Sequence, residues 1–227
     1  MTTFHIVTLF PESLDSYLNA SIIKRAQEKG LIAIKYYNPR DFVAVPKGKK
    51  PSYADRRVDN RPYGGGPGMV IEALPIIKAI ESAIVKSKKQ KGKRKTKIVF
   101  FSPAGKQFTN VVADSYKKYT DIVMVCGRYE GIDARVKKAF PMTDISVGPY
   151  VLTGGELPAM IMIDSITRRI PGVLGHDSSI EELRISSPDV YTRPEIIKYK
   201  GKSYRVPKIL LSGHHARMDE WKLKRKK

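Results

Sequence analysis

The run Thr143-Asp144-Ile145-Ser146-Val147-Gly148-Pro149-Tyr150-Val151-Leu152-Thr153-Gly154-Gly155-Glu156-Leu157-Pro158-Ala159 decides how this chain is read. A short apolar strand stops at Gly148-Pro149. The triplet Tyr150-Val151-Leu152 stops again at Gly154-Gly155, and a helix begins with Glu156 and Pro158 in its first turn. Proline is tolerated there because first-turn amides have no intrahelical partner. A turn of this kind leaves backbone N–H and C=O groups free to face a ligand. Taken alone, the stretch reads as a tight strand-to-helix turn without a ligand, since glycine turns are common punctuation.

Two further stretches change that reading. Phe100-Phe101-Ser102-Pro103-Ala104-Gly105 ends a strand begun at Lys97, and Cys126-Gly127-Arg128-Tyr129-Glu130-Gly131-Ile132-Asp133 ends the strand from Asp121 to Val125. Three strand ends, each opening into a Gly/Pro loop, predict an open α/β sheet with a ligand at its carboxyl edge.

Outward from these loops, strands and helices alternate. Strands are expected at Thr3–Phe10, Leu31–Tyr37, Ile98–Phe101, Ile122–Val125 and Thr143–Val147. One helix is expected from Pro11 to Gly30, and others at Glu72–Val85, Thr109–Lys118, Ile132–Phe140, Glu156–Arg168 and about His214–Lys226. This alternation predicts a parallel sheet with helices on both faces. The span Phe42–Met69 has little apolar periodicity and reads as a long functional or disordered loop. Lys86–Lys97 reads as a solvated, flexible basic connection. His176–Asp189 is polar and reads as a linker. The expected organisation is a domain over 1–173, a linker over 174–190 and a small helical C-terminal domain over 191–227.

The chain has 227 residues, with 42 Lys and Arg against 22 Asp and Glu, a net charge of +20. That excess points to a polyanionic partner. The one cysteine, Cys126, excludes an internal disulfide framework and fits a reducing compartment. The apolar run Ile6–Phe10 is cut at Pro11, too short for a signal peptide core, and no run is long enough to span a membrane. The protein is expected in the cytoplasm. One cysteine and four histidines show no recognised metal-ligand spacing, so no protein metal site is expected. Gly64-Gly65-Gly66-Pro67-Gly68 lacks the Lys and Ser/Thr of a phosphate loop. The chain has no Gly-x-Ser-x-Gly elbow for a hydrolase.

The loops resemble those of bacterial tRNA (guanine-N1)-methyltransferases of TrmD type, within the SPOUT class. The similarity runs from Phe4 to about Trp221. It includes Arg61 to Met69, Cys126 to Asp133, Val151 to Ala159, Ile170-Pro171-Gly172-Val173-Leu174-Gly175 and Tyr191-Thr192-Arg193-Pro194-Glu195. The resemblance implies a trefoil knot in the C-terminal part of the first domain, tRNA as substrate and a homodimer with a shared active site. It also implies S-adenosylmethionine as cofactor; members of this type can depend on Mg²⁺ as well. Phe101, Ser102, Pro103, Gly127, Tyr129, Glu130, Gly131, Val147, Gly148, Tyr150, Leu152, Gly154, Gly155 and Pro158 fall at cofactor positions. Arg61, Pro62, Tyr63, Gly64 and Gly65 fall near the target guanine, and the last domain would contact tRNA.

Guanine N1 carries a proton that a base must remove, and charge developing on O6 needs a cation or fixed donors. Arg168 matches the family arginine for the second role. The family base, an Asp followed by Ser, falls on Leu183 when counted from Gly175 without gaps. A one-residue gap brings Glu182 into register, with Glu181 beside it and Asp177 as a further candidate. Pro149 also replaces a usual Asp. Two alternatives stay open: an RNA-binding relative without catalysis, and a methyltransferase acting at another RNA position.

Overall fold

The structure, a computed structural model, describes residues 1–44, 48, 52, 54–88, 94–175 and 189–224. It divides into two compact units, Met1–Val173 and Leu174–Lys227.

The first unit is built on five strands: β1 (Thr2–Val7), β2 (Ile32–Tyr37), β5 (Thr96–Gln107), β6 (Asp121–Val125) and β7 (Thr143–Ser146). They lie in the order β2-β1-β6-β5-β7, and each pairing is parallel. Two short strands, β3 (Asp59–Asn60) and β4 (Val70–Ile71), form an antiparallel pair, β3 inside the span expected to be a loop and β4 directly after it. The helices are α1 (Glu12–Leu18), α2 (Ser21–Glu28), α3 (Ala73–Lys88), α4 (Asn110–Tyr116), α5 (Arg135–Ala139) and α6 (Glu156–Thr167).

Both faces of the sheet are covered, so its central strands are buried on both sides. Every residue of β1 and of β6 is buried. Alternate side chains feed two cores. Phe4, Ile6, Ile122 and Met124 pack with Leu14, Leu18, Ile23, Met162, Ile163 and Ile166, which places α1, α2 and α6 on one face. Val7, Val123 and Val125 pack with Ile76, Ala79, Ile80 and Val136, which places α3 and α5 on the other.

Four expectations change. The single helix from Pro11 to Gly30 is two helices, because the chain turns at Asn19-Ala20 and Ser21 takes φ +46. Lys86–Lys97 is not wholly a solvated connection: α3 reaches Lys88 and Ser87 is buried. Beyond it, Arg94 Nε sits 2.7 Å from the buried Asp121 carboxylate. Third, β5 extends well beyond Phe101. Ile145 is in register with Phe101 and again with Lys106, so both halves of β5 pair with β7. Gly105 makes this return feasible, since a Cβ there would lie 2.6 Å from Ile145 N.

The fourth change is in the second unit, which is not purely helical. It holds β8 (Ile196–Tyr199) and β9 (Lys202–Arg205) as an antiparallel hairpin, followed by α7 (His215–Lys224). Lys200 and Gly201 both take positive φ, 47 and 74, as a two-residue hairpin turn of this hand requires. Most of the expected linker, 176–188, lies outside the described residues.

Candidate active site

A cleft of about 350 Å³ opens at the carboxyl ends of β6 and β7 and at the middle of β5. Its size falls within the range of small-ligand sites. β5 contributes Phe101, Ser102 and Pro103. The loop after β6 contributes Gly127, Tyr129, Glu130 and Gly131. The segment after β7 contributes Val147, Gly148, Tyr150, Leu152, Gly154 and Gly155, and α6 adds Pro158. The structure thus brings all of the expected cofactor residues into one cleft. Arg128, Val151 and Thr153 line it as well.

Close backbone approach builds its wall. Gly155 N donates to Gly127 O at 3.0 Å. Gly155 sits at φ −83 and ψ −4, which any residue adopts, so glycine is not needed there for its freedom. It is needed for space: a Cβ would lie 2.6 Å from Cys126 Cα and 3.1 Å from Gly127 N. Cys126 is fully enclosed behind this wall, and burial pushes its thiol well above the ordinary value, with the Glu156 carboxylate adding to the rise. A thiol held protonated in this way is no nucleophile. On the far side, the Ser146 hydroxyl donates to Gly148 O at 3.0 Å, and the Tyr150 hydroxyl donates to Val147 O at 3.2 Å. The Tyr150 ring lies against Gly148, where any side chain would collide with it.

A buried ion pair braces the turn. Arg128 Nε lies 3.0 Å from Glu156 Oε2, and Glu156 Oε1 accepts from the Thr8 hydroxyl at 2.7 Å. The Arg128 guanidinium also sits 4.8 Å from the Phe10 ring centroid, and its Nη1 donates to Thr153 O at 3.4 Å. Glu156 is only 4% exposed, so removing Arg128 would strand a buried charge at a cost of about 3–5 kcal/mol. Arg128 thus turns inward to Glu156, whereas Arg135 pairs with Asp133 at 2.6 Å on the surface, where such a pair contributes little. Thr8 and Phe10 were missed, as was the bracing role of Glu156. The available signal was position: Thr8 follows β1, whose neighbour β6 opens into the cleft.

The glycine run forms part of the rim. Glu130 N donates to Met69 O, Ile71 N to Gly131 O and Asp133 N to Ile71 O, each at 3.0 Å. Gly68 takes φ +83, and a Cβ there would lie 2.6 Å from the Glu130 side chain. Farther out, Arg61, Tyr63, Gly64 and Gly65 are exposed and Pro62 is half-buried. Tyr63 is 100% exposed. Gly64 and Gly65 have open space around them and φ of +86 and +79.

The expected catalytic groups are not gathered here. Arg168 caps the C-terminus of α6, whose N-terminus forms the cleft. A helix of 12 residues spans about 18 Å, so Arg168 is remote from the cleft along its own helix. Glu181, Glu182, Asp177 and Leu183 lie outside the described residues. Among the described residues no group of His, Cys, Asp and Glu is placed to hold a metal ion, and no helix is long and apolar enough to cross a membrane.

The family model described as tRNA (Guanine-1)-methyltransferase TrmD matches residues 2–227. A Clostridioides difficile protein named tRNA (guanine-N(1)-)-methyltransferase is 42% identical over 223 residues, which is 96% of this chain and 90% of that protein. Proteins of the same name from Dictyoglomus turgidum and Thermomicrobium roseum are 41% and 42% identical. These alignments cover 99% and 96% of this chain, and 84% and 76% of the two relatives. A match along the whole chain, together with a glycine-walled cleft at three strand ends, shows that the chain belongs to the TrmD family of tRNA (guanine-1)-methyltransferases.

Proposed function

We propose that this chain transfers a methyl group from S-adenosylmethionine to N1 of the guanine 3′ of the anticodon in tRNA. The observation that carries this reading is the cleft whose wall is backbone: Gly155 against Cys126 and Gly127, with no room for a Cβ. Such a wall suits S-adenosylmethionine, because backbone donors and acceptors meet an adenine edge without mobile side chains. When bound, the cofactor supplies an electrophilic methyl group.

The remaining roles fall to side chains. Glu182 takes the N1 proton as the new N1–carbon bond forms, with Glu181 and then Asp177 as the other candidates for base. Arg168 meets the charge that develops on O6. Arg61 to Gly65 receive the guanine, since a glycine run lets backbone come close to a flat base.

Arg168 reaches a cleft only if a second copy brings it there, and the surface of α6 supports a homodimer. Leu157, Ile161, Asp164 and Arg168 follow helical spacing along one side, and Leu157 and Ile161 are 53% and 44% exposed. Two α6 helices packed antiparallel on this side would place each Arg168 beside the other chain's cleft, with the linker supplying the base across the same interface. The double pairing of Ile145 with both halves of β5 supports a trefoil knot, with β7 threaded past the Ser102–Gly105 crossing. Mg²⁺ enters this reading as a hydrated ion on RNA phosphates, which needs no cluster of protein carboxylates. The enzyme would meet its tRNA in the cytoplasm.

Mass spectrometry of nuclease fragments of tRNA after incubation with labelled S-adenosylmethionine tests the reading. Label in 1-methylguanosine at the anticodon-adjacent position is expected. Label in another nucleoside, or cofactor binding without turnover, would overturn it.

A further inference from the structure

Helix α1 lies against α6. Leu14 and Leu18 of α1 and Met162, Ile163 and Ile166 of α6 are buried in one core. Tyr17, three residues on from Leu14, stands at the edge of this contact and is exposed. Its hydroxyl donates to Asp164 Oδ2 at 2.6 Å. A phenol that donates to a charged carboxylate resists ionisation, and that bond, followed by burial, pushes Tyr17 up to about 12.

The place of this hydrogen bond matters more than its strength. Asp164 stands one helical turn before Arg168, the cation proposed to meet the charge on guanine O6. Arg168 N donates to Asp164 O at 3.1 Å, so α-helical spacing holds up to Arg168. Residues four apart on a helix are neighbours, and an acid N-terminal to a base is the favoured order for an ion pair. Asp164 is therefore the natural counterion of Arg168 within its own chain. Such a pair would neutralise the guanidinium before charge develops on O6, which happens only as the methyl group moves. Packing this side of α6 against a second copy would exclude water and strengthen the pull between the two groups. Tyr17 opposes that pull, because its hydroxyl draws Oδ2 toward α1 and satisfies the carboxylate there.

We propose that Tyr17 is a positioning residue for methyl transfer: by holding the Asp164 carboxylate at α1, it keeps that carboxylate from neutralising Arg168. The proposal rests on the methyltransferase reading for the role of Arg168, and adds the group that preserves the charge of that arginine for the substrate.

The test is a double-variant cycle on the full chain, read by single-turnover methylation of tRNA with labelled S-adenosylmethionine. Tyr17→Phe keeps the ring and removes only the hydroxyl. It should slow the step about 5- to 100-fold, within the range of coupling between charged neighbours and no more than the loss of one donor to a developing oxyanion. In a chain already carrying Asp164→Asn, the same change should alter the rate less than about twofold, because the competing charge is gone. Neither residue lines the cofactor cleft, so calorimetry should show one S-adenosylmethionine affinity for all four chains, and sedimentation one association state. An equal loss with and without Asp164→Asn assigns the hydroxyl to packing and overturns the proposal, as does a wild-type rate in Tyr17→Phe. A fall in cofactor affinity or a changed association state in Tyr17→Phe overturns it too. Arg168→Ala keeps the two readings apart. If Arg168→Ala is slow and Tyr17→Phe is not, the positioning role alone fails; if Arg168→Ala keeps the wild-type rate, the role of Arg168 is refuted and that of Tyr17 with it.

Discussion

Gly155→Ala isolates the wall of the cleft. The backbone at Gly155, φ −83 and ψ −4, accepts alanine without strain. On conformational grounds alone, Gly→Ala at such a site stabilises by about 0.4–1 kcal/mol. The contacts oppose this. The new methyl would lie 2.6 Å from Cys126 Cα, 3.0 Å from Cys126 Cβ and 3.1 Å from Gly127 N, whereas carbon atoms pack at about 3.5 Å or more. One side must therefore retreat by about 0.9 Å, the difference between 3.5 and 2.6. Cys126 is buried at the end of β6 and cannot move without the sheet, so the Gly154-Gly155 turn gives way and carries the Leu152 side of the cleft outward. A displacement near 1 Å in such a site costs roughly a hundredfold. Calorimetry should show S-adenosylmethionine binding weakened about 10- to 100-fold. Gly127→Ala is the control. Its Cβ would meet Phe100 at 3.4 Å, an ordinary contact, so affinity should stay within about threefold of wild type. Wild-type affinity in Gly155→Ala, or an equal loss in Gly127→Ala, would refute the close-packed wall.

Three further outcomes are expected. Burial alone would raise the Asp121 pKa, but hydrogen bonds from Arg94, His5 and Thr120 outweigh it and hold the group at about 2. A carboxylate depressed from 3.8 stabilises the fold above about pH 4, and about 2 kcal/mol is lost as pH falls toward 2. Burial also lowers the His5 pKa below its ordinary 6.5. Acid therefore begins to destabilise the fold below about pH 6.5. Denaturant titrations at pH 7, 5 and 3 should show both steps, and Asp121→Asn should be less stable at pH 7 but flatter below pH 4. Glu182→Gln should cut the single-turnover rate about a hundredfold or more with cofactor affinity near wild type, while Glu181→Gln should be mild; the reverse order would make Glu181 the base. Mixing Arg168→Ala chains with Gly155→Val chains should restore methylation that neither variant has alone, because one mixed dimer keeps one intact site; no recovery would place Arg168 in its own chain's site.

The cleft was legible because its parts announce themselves locally. Buried parallel strands appear as apolar runs, Val123–Val125 for example, and each run stops at a glycine or proline that opens a loop. What was not legible depends on contacts distant in sequence. The Arg128–Glu156–Thr8 brace joins the ends of β1 and β6 to α6, with Thr8 and Glu156 148 positions apart. Nothing near Arg128 distinguishes that partner from Glu130 or Asp133. The return of β5 along β7 turns on Gly105 packing against Ile145, a fit that periodicity does not encode. Ser21 carries no local mark of its positive φ, so one amphipathic pattern concealed two helices. The hairpin was missed for a related reason: Ile196-Ile197-Lys198-Tyr199 is exposed along most of its length, and an exposed strand lacks the alternation that a half-buried one shows.

The distribution of groups between backbone and side chain also separates affinity from rate. The wall of the cleft is made by glycines held against buried strand ends, so the geometry offered to a cofactor is fixed by the sheet itself. The groups proposed for chemistry stand elsewhere. Arg168 is at the far end of α6, and the candidate bases follow Gly175 in the sequence, outside the described residues. Substitutions in the wall should act first on cofactor binding, and substitutions at Arg168 or Glu182 on the chemical step. The rim is where the two effects can mix. Glu130 touches both the cleft and Gly68 of the glycine run, and Ile71 exchanges backbone hydrogen bonds with Gly131 and Asp133. A shift of the Tyr129–Gly131 loop therefore displaces Gly68 as well. Variation at Glu130 should alter both cofactor affinity and the KM for tRNA, whereas Gly155→Ala should leave the latter nearly unchanged.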